Sequence, residues 1–322
     1  MTDTGPLFVS CGDLIADRRY KLAVDLAARG DFEGAADILQ QTLEIAPRFA
    51  TAWFALGAIR DRLGDRSGAV AAFVQASEFD PEDYHGARLQ LARLNGGDTA
   101  PAMTETYVRR LFDQYAARYD TALTEHLHYR GPAILCQAIE GAMRERGRPF
   151  HFASALDLGC GTGLAGEAFR PFVDRLVGID LSPAMITKAN EKRIYDQTHV
   201  AKIEDFLADA ACGKYELVLA ADVFVYVNDL APIIAGIAGI LAPNGVLAFT
   251  VETHSGAGTK LLPTLRFAHG AAYLRACLAD AGLSLLTLSA ATARTERGVP
   301  VEGLAVVAEP STALRARATS VV

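Results

Sequence analysis

ALDLGCGTG, residues 155–163, is a short apolar strand that runs into Asp157 and then into Gly159, Gly161 and Gly163 at alternate positions. Glycines so spaced let the backbone turn sharply and let a ligand lie against bare main chain where a helix begins. VGID, residues 177–180, closes the next strand with Asp180, and Leu181, Ser182 and Pro183 follow. A carboxylate at the tip of the second strand stands where a ribose bound over the first would present its two hydroxyls. Ser182 suits an N-cap, and Pro183 the first helical position after it.

Outward from this pair, strand and helix patterns alternate. ASALDLG (153–159), RLVGID (175–180), HVAKI (199–203), YELVLAAD (215–222) and GVLAFTVE (245–252) read as strands, too apolar to have a wet face. GLAGEAFRPF (163–172), PAMITKANEKRIYD (183–196), DLAPIIAGIAGIL (229–241) and AHGAAYLRACLADAG (268–282) read as the helices between them. Such a run predicts a parallel sheet covered on both faces. LSLLTLSAATART (283–295) and VEGLAVVAE (301–309) then follow with only ERGVP between them, so the last strands form an antiparallel hairpin. The apolar stretch 230–251 has the length of a membrane span, but Pro232 and the turn at Pro243, Asn244 and Gly245 cut it into a helix and a strand.

The same glycines admit a rival reading. Gly161, Gly163 and Gly166 spell GxGxxG with Asp180 downstream, as in a nicotinamide dehydrogenase. Asp157 would repel a pyrophosphate there but suits the ammonium of a methionine moiety, and a terminal antiparallel hairpin does not continue a standard dinucleotide fold. The glycine loop, Asp180 and the strand pattern of roughly residues 104–309 resemble the class I S-adenosylmethionine-dependent methyltransferases. The resemblance implies an α/β fold, a seven-stranded doubly wound sheet with the terminal hairpin, and S-adenosylmethionine as cofactor. It implies Asp157, Gly159, Cys160 and Gly161 along the methionine moiety, Asp180 on the ribose, and Leu181 and Met185 near the adenine. Glu204 or Asp205 would come near the adenine amino group; Lys202 stands where many members have an acid, which leaves the choice among Ile203, Glu204 and Asp205 open. Ala221, Asp222, Val223 and Phe224 fall where the family lines the passage between sulfonium and acceptor.

Upstream, residues 107–132 resemble the lid of many small-molecule methyltransferases through an FDxxAxxYD pattern. Phe112, Tyr115 and Ala116 at helical spacing read as core contacts, while Tyr119 and Arg130 can supply a hydroxyl and a cation to the methionine carboxylate. In residues 1–98, Pro47 and Pro81 lie 34 apart, and the same offset pairs Leu22 with Leu56, Ala23 with Gly57, Gly30 and Asp31 with Gly64 and Asp65, Ala35 with Ala69, and Leu39 with Phe73. This spacing resembles the tetratricopeptide repeat. Trp53, Leu56, Gly57, Ala69, Phe73, Ala76 and Pro81 fill its signature positions, and residues 83–94 read as a covering helix. The expected division is thus a small all-α repeat domain over 1–98, then a methyltransferase domain over 99–310 whose first part, 99–150, holds the lid helices, with a linker at 95–101 and a flexible tail at 311–322. Taken together, the chain resembles a bacterial group of predicted tetratricopeptide-repeat methyltransferases.

Composition sets the outer limits. The 322 residues are 51% hydrophobic and 21% charged, with a net charge of −7, which excludes a disordered chain and reads as a soluble protein of about two domains. Residues 1–98 carry 10 Lys and Arg against 15 Asp and Glu, and the remainder is nearly neutral. Neither part has the basic stripe of a nucleic-acid binder. Five cysteines without a CxxC pair argue against a disulfide framework or a structural metal, and the acidic N-terminus is no secretion signal, so a cytoplasmic protein is expected. Cys160 has no partner at an activating distance and reads as a small residue lending its backbone.

The expected reaction is in-line methyl transfer to an unidentified small-molecule or protein acceptor, with a protein partner or substrate on the repeats and no membrane. The alternative is an inactive cofactor-binding interaction protein. Tyr226, His254, His269 and Glu252 are candidate bases, because each follows a strand or opens a helix on the carboxyl edge of the sheet. Residues 250–258, TVETHSGAG, read as a mobile loop over the substrate entrance.

Overall fold

The computed structural model describes residues 8–96, 103–121, 123, 127–296, 298–312 and 314. Most of the linker and tail thus lie outside the described residues. The chain divides into two compact units, 1–111 with Pro263–Leu265, and 112–262 with 266–322.

The first unit is all helix: α1 Leu14–Ala28, α2 Phe32–Ile45, α3 Ala50–Arg62, α4 Arg66–Phe79 and α5 Ala87–Asn95, with α6 Glu105–Tyr115 beginning in it. Its two hairpins repeat in atomic detail. Gly30 and Gly64 turn at φ +86° and +80°, and Asp31 and Asp65 each accept the amide two places past the helix start, from Gly34 and Gly68, at 2.9 Å. Ala35, Leu39, Ala69 and Phe73 are all fully buried. The close approach falls at Gly57, where a Cβ would lie 2.8 Å from the Phe73 ring. Leu22 departs from its counterpart, being 49% exposed where Leu56 is 1%. The covering helix starts at Ala87 rather than at 83, because Asp83 and Gly86 take left-handed backbone angles.

The second unit opens with the end of α6, a turn of 3-10 helix at Ala116–Arg118, α7 Tyr119–Thr121 and α8 Gly131–Glu145. Then come β1 Phe152–Leu158, α9 Leu164–Phe169, β2 Val173–Asp180, α10 Pro183–Lys192, β3 Gln197–Val200, α11 Ile203–Ala208, β4 Tyr215–Ala220, α12 Ala231–Ile240 and β5 Leu241–His254. The chain ends with β6 Thr259–Leu261, β7 Phe267–Gly270, α13 Ala271–Asp280, β8 Leu283–Ala291, β9 Thr295–Glu296, β10 Val299–Pro300 and β11 Gly303–Pro310. The sheet runs β3-β2-β1-β4-β5-β11-β8. Only β11 opposes its neighbours along this path; β8, antiparallel to β11, lies parallel to the rest. Leu156, Leu158, Val177 and Ile179 belong to the apolar layer that includes α12 and α13, while Ala155, Leu176, Leu217 and Leu219 belong to the one that includes α8 and α9, so alternate residues of each strand feed two apolar layers.

Three expectations need correction. Among the described residues the sheet has nine strands, because β6 and β7 pair with each other and β7 lies beside β5 beyond the end of β4, with Glu252–His254 against Ala268–Gly270. Thr250–His254 are accordingly strand and not loop: β11 pairs Thr250–Glu252 on one side and β7 pairs Glu252–His254 on the other. The residues at Pro243–Gly245 are a bulge in β5, where Tyr215 pairs Leu241 and Leu217 pairs Val246. Elsewhere boundaries move for local reasons. α10 ends at Lys192 because Arg193 is left-handed, and Ile203 starts a helix whose first turn carries Glu204 and Asp205, where acids favour an N-terminus. Among the described residues, no helix is long and apolar enough to cross a membrane.

Candidate functional site

The carboxyl ends of β1 and β2 bring the glycine loop and both aspartates together. Gly159 and Gly161 are left-handed, at φ +62° and +54°, and a Cβ on Gly159 would lie 2.6 Å from a Val223 methyl. No other residue fits that bend. Asp180 accepts the Gly161 amide through Oδ2 at 2.9 Å and the Ser182 amide through Oδ1 at 2.8 Å, which locks its rotamer between loop and helix. Burial pushes its carboxyl up to about 6, against the pull of those amides. Asp157 is 1% exposed. Its Oδ2 takes the Tyr195 hydroxyl at 2.7 Å, while Oδ1 has no hydrogen-bond partner among the described residues, and burial raises this carboxyl to about 7. Cys160 is buried beside them, and burial together with the two aspartates holds its thiol well above the usual range, so it is no nucleophile.

The segment before the sheet joins this site through side chains. Ser182 Oγ, the N-cap of α10, donates to Asp113 Oδ1 at 2.5 Å, and the Ala184 amide donates to the same oxygen at 3.3 Å. Thr162 donates to Asp120, and Lys192 Nζ pairs with Asp120 at 2.8 Å. Tyr119 lies over the loop, its ring 3.7 Å from where a Gly161 Cβ would stand, and is edge-on to Phe112. Arg130 heads α8 with an exposed side chain, and its amide donates to Ala293 O at 2.7 Å. Leu181 and Ala221 are half-buried at the rim, Glu204 and Asp205 are exposed, and Met185 is fully buried with its amide on Ser182 Oγ.

Beyond the end of β4 lies an ion network that no local pattern in the sequence announces. Arg294 is 2% exposed and donates to both oxygens of Asp222 and to Glu252, with Glu296 3.3 Å from its Nε. Arg266, also buried, pairs with Glu296 and sits 2.7 Å from Glu252 Oε1 as an ion pair too misaligned for a hydrogen bond. Burial disfavours the Arg294 charge, but Asp222 and Glu252 outweigh it and raise its pKa. Asp222 itself is left-handed at φ +61°, rare for a residue with a Cβ. Tyr119, Tyr129 and Tyr226 gather around this network, and burial raises all three phenols.

The four candidate bases part company here. Tyr226 is half-buried, edge-on to Phe112 at 5.1 Å and near Arg266. His254 has both ring nitrogens occupied by its own turn, Nδ1 accepting from the Gly256 amide and Nε2 donating to Gly258 O. His269 is fully buried, donates to Val227 O through Nε2, and is pushed down to about 4 by burial. Glu252 is committed to the two arginines.

The residues fit S-adenosylmethionine: an orphaned buried carboxylate oxygen that suits an ammonium, a glycine bend where a Cβ on Gly159 would clash, and an aspartate at the tip of the second strand, where the resemblance puts the ribose. Residues 156–247 match the family described as a methyltransferase domain. Those residues are thus similar to a methyltransferase domain. The sheet around them has the fold of the class I methyltransferases. Magnesium protoporphyrin IX methyltransferase from Synechocystis PCC 6803, solved with bound SAH, superposes with a TM-score of 0.50 at 17% identity, covering 64% of this chain and 99% of that one. The ubiquinone biosynthesis O-methyltransferase of Xanthomonas campestris pv. campestris is 31% identical over 99 residues, 30% of this chain and 41% of the relative. Human methyltransferase-like protein 27 is 29% identical over 173 residues, 51% of this chain and 64% of the relative. The chain thus spans less than two thirds of these relatives' lengths.

Proposed function

We propose that this protein transfers a methyl group to a small-molecule or protein acceptor by in-line displacement. The observation that carries the reading is Asp157 Oδ1, buried and unpartnered beside the Gly159–Gly161 bend, with Asp180 fixed one strand away. When bound, S-adenosylmethionine supplies an electrophilic methyl on a sulfonium. The chain's own tasks are to hold that methyl in line with the acceptor, to exclude water and to stabilise the charge that moves. Asp157 and Arg130 would take the ammonium and carboxylate of the methionine moiety, and Asp180 the ribose. Tyr119, Tyr226 and Asp222 would orient the acceptor, with Asp222 held in place by Arg294. A dedicated base is optional in such a displacement; Tyr226 remains the candidate for that role, because Asp222 and Glu252 are committed to arginines, both ring nitrogens of His254 are bonded within its own turn, and His269 is fully buried with Nε2 on Val227 O.

We read the helical unit as two tetratricopeptide repeats with a covering helix, which recruit a protein partner or substrate. The matched caps and turns at a 34-residue offset support it. Five free cysteines are in keeping with a reducing compartment such as the cytoplasm. Calorimetry with S-adenosylhomocysteine tests the enzyme reading. Binding is expected to the native chain and to fall at least tenfold in Asp180→Ala, since each hydrogen bond to a charged group contributes about 1.5–3 kcal/mol. Absent binding, or unaltered binding in the variant, refutes it. Binding without label transfer from methyl-deuterated cofactor, across a broad acceptor screen, would favour the inactive interaction protein instead.

A further inference from the structure

Tyr195 follows α10, in a stretch whose pattern reads as helix. Its ring fills a slot made by three glycines on three different segments. A Cβ on Gly166, in α9, would lie 2.4 Å from the Tyr195 hydroxyl; one on Gly178, in β2, 2.9 Å from the ring; and one on Gly163, in the loop, 3.2 Å from it. Neither Gly166 nor Gly178 has a left-handed φ, so their backbones do not call for glycine. Volume does. The ring thereby reaches under the glycine loop and delivers its hydroxyl to Asp157 Oδ2 at 2.7 Å.

That hydrogen bond has a consequence for the other oxygen. A carboxylate 1% exposed and without a counter-ion has a strong tendency to take up a proton. The groups facing Asp157 offer little help: Asp180 is a second acid, and the Cys160 thiol and Tyr129 phenol are both held protonated by burial. Tyr195 is the one donor given to Asp157 among the described residues, and by occupying Oδ2 it leaves Oδ1 as the acceptor at the head of the glycine loop. We propose that Tyr195 is a positioning residue for the cofactor: it fixes the Asp157 carboxylate in its ionised form and orientation, so that Oδ1 meets the cofactor's ammonium. The inference rests on the reading of Asp157 as the ammonium's partner.

The test is calorimetry of the full chain with S-adenosylhomocysteine between pH 5.5 and 9, for the native protein, Tyr195→Phe, Gly166→Ala and Asp157→Asn. Burial lifts Asp157 to about 7 and the phenol pulls against that lift, so affinity in the native protein rises through neutral pH. Tyr195→Phe keeps the ring and removes the donor. The expected result is at least tenfold weaker binding at pH 7, with the rise displaced to higher pH and affinity recovering toward native at pH 9. Gly166→Ala, which expels the phenol from its slot, is expected to displace the profile in the same direction even where Tyr195→Phe folds poorly. In Asp157→Asn the rise that belongs to Asp157 disappears, and adding Tyr195→Phe changes nothing further. A loss in Tyr195→Phe that is equal at every pH, or that persists on the Asp157→Asn background, overturns the proposal and leaves a packing role alone. If the native chain binds and Asp180→Ala does not, while Tyr195→Phe matches native at all pH values, only this inference falls. If the native chain binds nothing, the methyltransferase reading falls with it.

Discussion

Replacing Arg294 by Met removes the centre of the buried ion network while keeping most of the side chain's volume. Arg294 is 2% exposed, and Asp222, Glu252 and Glu296 are 14%, 4% and 18% exposed at their side chains, so the acids left behind stay largely out of water with Arg266 as their one remaining cation in the network. Removing one partner of a buried pair costs about 3–5 kcal/mol, far more than the pair's net contribution, because the orphaned charge remains desolvated. At about 2–4 °C per kcal/mol for a unit of roughly 200 residues, the melting transition of the sheet unit should fall by about 6–20 °C. Asp222→Asn together with Glu252→Gln should restore much of it. Circular dichroism melts of the single and triple variants read both effects. A fall below about 2 °C, or no recovery in the triple variant, would mean that the network is solvated and that Asp222 is not held by Arg294.

Two other perturbations separate packing from electrostatics. Gly141→Ala, in α8 with open space at its Cβ position, should stabilise by about 0.5–1 kcal/mol, while Gly57→Ala, whose Cβ meets the Phe73 ring at 2.8 Å, should destabilise and be relieved by Phe73→Leu; urea titration of each variant reads the signs. His269 is held neutral with its folded pKa at about 4, below the unfolded value near 6.5, so its contribution is complete above pH 6.5 and lost as pH falls toward 4. His269→Gln should therefore flatten the acid limb of the stability profile by about 3 kcal/mol, and an unchanged limb would show that the ring protonates without cost in the fold.

What could be read from the sequence was local. The bend at Gly159 and Gly161, the tip aspartate Asp180 and the Ser182 cap each lie within a few residues of the strand end that explains them, and the 34-residue offset carried its own caps at Asp31 and Asp65. The features that escaped are assembled across the chain. Arg294 reaches Asp222 and Glu252 over 72 and 42 positions, and Ser182 reaches Asp113 over 69, so no spacing rule connects them. Tyr195 was hidden for another reason: EKRIYD continues a helical rhythm, and only the left-handed turn at Arg193 releases the ring. β6 and β7, at three and four residues, are too short to show a period of their own. His254 looked like a base because it ends a strand, and the strand's turn is what consumes its nitrogens. The third glycine of GxGxxG, Gly166, which alone made the dehydrogenase pattern complete, is explained by the volume of a phenol.

Asp113 lies on α6, ahead of the sheet, yet its carboxylate ends on the first turn of α10, two residues past the aspartate assigned to the ribose. Ser182 thus joins the two: its amide holds Asp180 and its hydroxyl holds Asp113. On the proposed reading of Asp180, the docking of α6 and the binding of the cofactor are coupled through this one residue, and coupling of that kind acts equally in both directions. A change that pulls α6 from α10 is then expected to weaken the cofactor's binding, and a bound cofactor to protect α6 from exchange by the same free energy.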